Sequence, residues 1–155
     1  MKKKNVGIAE MKICRAPEVL TILGLGSCVA VALYHERTKT GGLVHIMLPD
    51  GRAEKRNRPG KYAHIAVPAL HKEMLEEVGR KGRIVAKVCG GSKMFKSATG
   101  FNIGADNVTA AREELAKLGL KIVGEDCGKD YGRNVKFTPE NGKIVIRSVN
   151  GVITI

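Results

Sequence analysis

Residues 28–49 contain two apolar runs, CVAVALY and LVHIMLP, separated by the polar stretch HERTKTGG. Each run has the length of a strand and the linker is rich in turn-forming residues, so the segment reads as one antiparallel hairpin. A hairpin that apolar must be covered, and the rest of the chain supplies the cover. VGIAEMKI and VLTIL read as strands before it, and RIVAKVCGG, LKIVGED, RNVKFTP, KIVIRSV and GVITI as strands after it. Two segments carry helical spacing instead. YAHIAVPALHKEMLEEVG places Ala63, Val67, Leu70, Met74, Leu75 and Val78 on one face, with Pro68 inside and Gly79 at its end. IGADNVTAAREELAKLG, residues 103–119, forms the second, with Glu113, Glu114 and Lys117 pointing outward and Gly119 closing it. ENGK reads as an Asn-Gly hairpin turn, and Gly51 to Lys61 as a loop. The expected fold is strand-rich α+β with two main helices, in one domain spanning residues 1–155.

Composition limits the functional classes. No stretch approaches the roughly 18 to 20 apolar residues that cross a bilayer, and MKKKNVGIAEMK has no apolar segment behind its charges, so a cytoplasmic protein without stable membrane insertion is expected. Cys14, Cys28, Cys89 and Cys127 show no C-x-x-C spacing, and His35, His45, His64 and His71 are scattered, so reduced thiols and no metal are expected. No cofactor motif is present; Gly24 and Gly26 make only G-x-G. A formal charge of +12 invites nucleic acid as a partner, but aromatics are 4% of residues and tryptophan is absent, which leaves little for bases to stack on. Attraction to an acidic protein surface or to an anionic membrane leaflet is the favoured account of the charge, so no nucleic-acid partner is expected, and composition does not separate the two favoured sources.

LGLGSCVAV raises the question of chemistry. Cys28 follows two glycines and a serine where a loop gives way to a strand, a setting that suits a packing residue, a ligand or a nucleophile. With the hairpin tip centred between Glu36 and Arg37, Cys28 faces His45, and facing side chains have β-carbons about 4.5–5.5 Å apart. A histidine at that distance can take the thiol proton, and N–H groups at Gly26, Ser27 or Cys28 can hold an oxyanion, which together serve acyl transfer through a thioester. Cys14, Cys89 and Cys127 have no matched histidine and read as structural; His64 and His71 read as surface residues, and His35, at the hairpin tip, as solvated.

LGLGSCVAV, HIMLPD, PGKYA, CGGSKMF, NIG followed by Asn107, and YGRNVKF occur in the order found in the CheD family of chemoreceptor glutamine deamidases, which the chain resembles over nearly its whole length. The resemblance implies a three-layer α/β/β sandwich related to the catalytic domain of cytotoxic necrotizing factor toxins. It implies a protein-glutamine glutaminase, an amidohydrolase that converts receptor glutamines to glutamate with release of ammonia, and binding to the phosphatase CheC. Methyl-accepting chemotaxis receptors would be the substrate. The family's nucleophile falls on Cys28 and its general base on His45. The third catalytic position, a threonine directly before LGLGSC in the family, holds Ile22 here, with Thr21 one residue earlier as the candidate hydroxyl; Ser27 is the candidate at the oxyanion turn. The chain departs from the family pattern at Asp106 and at Cys127–Asp130, where a Gly-Gly pair is usual.

Overall fold

The computed structural model describes residues 2–50, 58–94 and 102–155. Ten strands and two helices follow one another as β1 (Lys3–Asn5), β2 (Met11–Arg15), β3 (Val19–Leu25), β4 (Val29–His35), β5 (Thr40–Ile46), α1 (Ala63–Val78), β6 (Ile84–Gly90), α2 (Ile103–Lys117), β7 (Ile122–Cys127), β8 (Arg133–Thr138), β9 (Lys143–Ser148) and β10 (Gly151–Thr154). They form two five-stranded sheets, β1-β3-β8-β9-β10 and β2-β5-β4-β6-β7.

Strand alternation divides the hydrophobic residues between two cores. Along β4, Val29, Val31 and Leu33 pack with Leu70 and Met74 of α1 and with Ala111 and Leu115 of α2. Ala30 and Ala32 of the same strand face Leu20 and Ile22 of β3 and Phe137 of β8. The second sheet is therefore apolar on both faces, one covered by helices and the other by the first sheet, which gives the α/β/β layering expected. Ala63, Val67, Leu70 and Met74 are buried as the helical spacing requires, and Pro68 lies in the second turn of α1, where it has no N–H to give the His64 carbonyl.

Four local expectations are corrected. VGIAEMKI is not one strand: its last residues, from Met11, lie in β2 of the second sheet, and residues 6–10 form the turn from β1 of the first sheet, with Ala9 at φ 65° and the Glu10 N–H on the Gly7 carbonyl. The loop at ENGK has four residues, because Thr138 pairs with Lys143 and the Gly142 N–H donates back to the Thr138 carbonyl. Glu114 is buried, not outward, and reaches Lys117 at 2.7 Å. His35 is buried rather than solvated, with Nδ1 2.7 Å from the Thr38 hydroxyl and Nε2 2.7 Å from the Lys81 carbonyl. Most of the loop read at Gly51 to Lys61 lies outside the described residues.

Candidate active site

Cys28 stands where the chain crosses from one sheet to the other. β3 ends at Leu25 in the first sheet, β4 begins at Val29 in the second, and only Gly26, Ser27 and Cys28 make the crossing. The approach is shaped by a bulge between Ile22 and Leu25, where Gly24 adopts φ +72° and donates its N–H to Asn134 Oδ1 at 2.8 Å. Every carbonyl of the crossing is tied inward: Gly26 accepts from the Ser92 N–H at 3.0 Å, Ser27 from Asn107 Nδ2 at 2.9 Å and Cys28 from the Gly91 N–H at 2.8 Å. The N–H groups of these three residues have no backbone acceptor among the described residues. A crossing whose acceptors are bonded and whose donors are left over is a candidate place for negative charge.

The paired glycines of CGG now have a reason. Gly90 sits opposite Val29 at φ +101°, and a β-carbon there would lie 2.5 Å from the Cys28 carbonyl oxygen, so no other residue lets β6 approach the crossing.

His45 lies on the face of β5 that looks into the space between the sheets, since Leu43 belongs to that core and Val44 and Ile46 to the other. The hairpin register differs from the one expected. Ala30, not Cys28, is opposite His45, because the turn spans Glu36 to Lys39, with Lys39 at φ 51° and its N–H on the Glu36 carbonyl. The tip is centred between Arg37 and Thr38, and the displacement preserves the parity of facing. Cys28 therefore becomes the diagonal neighbour of His45 on the same face, a relation of about 7–8 Å that longer side chains span.

The imidazole is oriented by backbone. Its Nδ1 lies 3.3 Å from the Val6 carbonyl, which can only accept, so Nδ1 carries the proton and Nε2 presents a lone pair. Burial lowers the His45 pKa, while the Val6 carbonyl and the charge of Glu10 oppose that shift. Burial also raises the Cys28 thiol. Both effects favour a neutral thiol beside a neutral base at rest, with the proton moving as the sulfur attacks. Burial raises the other thiols too: Cys14 to about 11, Cys89 to about 12 and Cys127 to about 11.

Thr21 is placed differently from the other candidates. Leu20 and Ile22 enter the core between the sheets, so alternation along β3 turns the Thr21 side chain to the opposite face, away from His45. Ile22, wholly buried, holds the place that faces the histidine layer. Thr21 contributes through its carbonyl, which accepts the Val6 N–H at 2.7 Å and so steadies the group that orients His45. Thr21→Ala should leave turnover within about threefold of wild type in a steady-state assay, since the backbone bond survives the substitution.

Sequence reasoning missed Arg133, the largest fully buried side chain. Its Nε donates to Asp126 at 3.0 Å, and Nη1 donates to Ser92 Oγ at 2.7 Å and to the Gly128 carbonyl at 3.0 Å. Ser92 Oγ donates to the Tyr131 carbonyl at 2.6 Å, and the Ser92 N–H holds Gly26. YGRNVKF thus underpins the crossing twice, through Arg133 beneath Ser92 and through Asn134 on Gly24. A buried polar knot needs each member's geometry, and a lysine cannot reproduce the guanidinium fork. Arg133→Lys should lower stability by about 1–3 kcal/mol, read as a melting temperature reduced by roughly 3–10 °C in calorimetry.

Among the described residues no group of His, Cys, Asp and Glu is arranged to hold a metal ion, all four cysteines are free, and no helix is long and apolar enough to cross a membrane.

The family described as CheD chemotactic sensory transduction matches residues 47–148. The chain is 42% identical to the chemoreceptor glutamine deamidase CheD of Thermotoga maritima, over 96% of this chain and 94% of that one. It is 44% identical to the protein of the same name in Bacillus licheniformis, over 97% of this chain and 94% of that one.

Proposed function

The chain belongs to the CheD family, and from that premise we propose that it deamidates glutamine side chains of chemoreceptors through a thioester on Cys28, with His45 as the base. The observation that carries the reading is the contact of His45 Nδ1 with the Val6 carbonyl: with Nδ1 as the donor there, Nε2 is the acceptor on the face shared with the crossover cysteine.

The steps follow from the groups in place. His45 Nε2 takes the Cys28 proton as Sγ attacks the side-chain carbonyl carbon of glutamine, and the oxygen gains the negative charge. The N–H groups left over at Gly26, Ser27 and Cys28 receive that oxyanion, which is the part assigned to Ser27. Collapse breaks the C–N bond while the imidazolium returns its proton to nitrogen, releasing ammonia and leaving the thioester. Water then attacks with His45 again as base, and expulsion of the Cys28 sulfur gives glutamate. The net reaction consumes one water and releases one ammonia. No cofactor enters any step.

The +12 charge favours encounter with an acidic receptor surface at low salt. Binding to CheC is part of the same proposal, carried by the family resemblance, as is a cytoplasmic location. Incubation of a receptor cytoplasmic fragment with the protein, followed by peptide mass spectrometry, tests the reaction. A gain of about one dalton at defined glutamines is expected from the exchange of –NH₂ for –OH. Unchanged peptide masses alongside retained CheC binding would leave a binding module in place of an enzyme.

A further inference from the structure

We infer that Asn107 is a positioning residue for the reaction, setting the separation of Cys28 and His45 through one side-chain amide. The inference rests on the Cys28–His45 reading above and adds to it a residue from a different layer of the fold.

The β4–β5 ladder ends at the pair Val29 and Ile46. One step further, two carbonyls approach the same point, that of Ser27 just before the nucleophile and that of Met47 two residues past the base. Two acceptors cannot bond each other. Asn107 Nδ2 supplies both hydrogens, at 2.9 Å to Ser27 and 3.0 Å to Met47. These two carbonyls also fix which way round the amide sits, because only its nitrogen can donate. The side chain acts as an added rung where the strands part, one end on the segment carrying Cys28 and the other on the segment carrying His45.

Two further observations separate this role from packing. Asn107 is wholly buried, yet among the described residues its Oδ1 has no partner. An apolar side chain of similar size would fill the space without that unsatisfied acceptor, so what the asparagine supplies is its pair of donors. The helix bearing it is also closely seated. A β-carbon at Gly104 would lie 2.4 Å from the Gly91 carbonyl oxygen, and Gly91 itself donates to Cys28. α2 therefore delivers Asn107 to the rung from a platform registered against the same crossing.

The test reads Cys28 directly. Alkylation of Cys28 by iodoacetamide, followed by mass spectrometry across pH, should show in wild type an acid limb that vanishes in His45→Ala, because only the neutral imidazole assists. Asn107→Ala is expected to lose that limb while its circular dichroism stays native, and to lower kcat by about 10–100-fold on a receptor fragment with KM nearly unchanged. Combined with His45→Ala, it should cost less than about threefold more, since the alignment it maintains has no base left to serve. Retention of the limb in Asn107→Ala, or full multiplication of the two losses, overturns the inference. Should Asn107→Ala not fold, Asn107→Asp keeps the shape with at most one donor and is judged by the same limb. A wild-type profile without a His45-dependent limb overturns the Cys28–His45 pair itself, and this inference with it.

Discussion

Cys28→Ala is expected to abolish deamidation, with a fall on the order of 10⁶-fold, the scale seen when a covalent nucleophile is removed. No other described thiol stands in its place. Cys89 is buried with its thiol raised to about 12, and Cys14 and Cys127 are raised to about 11. The fold should survive, because Cys28 is only half-buried and its side chain makes no hydrogen bond among the described residues. Loss of one sulfur at a loop then costs about 1 kcal/mol or less. Intact-mass analysis of a receptor fragment gives the activity and thermal unfolding gives the stability. Full deamidation by Cys28→Ala would end the thioester reading.

His45→Ala should lower kcat by about 10²- to 10⁴-fold, the usual worth of a positioned base. The pH dependence carries further information. The neutral imidazole is the working form and burial lowers its pKa, so activity should persist below the pH near 6.5 at which an ordinary histidine protonates. The same shift has a stability consequence of definite sign. A folded-state value below the unfolded one contributes stability that is present above the unfolded pKa and is lost as pH falls through the folded pKa. Wild type should therefore lose stability on acidification through that window more steeply than His45→Ala, as read by denaturant titration at a series of pH values. Equal slopes for the two proteins would show that His45 titrates as an ordinary exposed imidazole.

The hairpin, the two helices and the strands of the C-terminal half were legible because each is a run whose period matches its burial. The candidates for the proposed pair were legible as well, in LGLGSC and HIMLP. Its register was not: the tip depends on Lys39 adopting a left-handed backbone, and HERTKTGG holds several residues able to close a turn. The orienting group was hidden for another reason. Val6 acts through its carbonyl, which every residue possesses, so no letter marks it. Arg133 looked like one more positive charge in a basic chain, and only the depth of its burial beside Asp126 and Ser92 distinguishes it. Gly90 and Gly91 were visible in CGG, but the close approaches that demand them, of the Cys28 carbonyl to Gly90 and of the Gly104 carbonyl to Gly91, are tertiary facts.

Because His45 is aimed by a main-chain acceptor in the turn between β1 and β2, its aim is set by chain path rather than by side-chain identity. Exchanging Val6, Ile8 or Ala9 for residues that keep the path leaves the acceptor where it was. Adding or deleting a residue between Gly7 and Glu10 moves it, and breaks the bonds from the Val6 N–H to Thr21 and from the Ala9 N–H to the His45 carbonyl. The orientation of His45 should thus tolerate changes of side chain in that turn and fail on a change in its length.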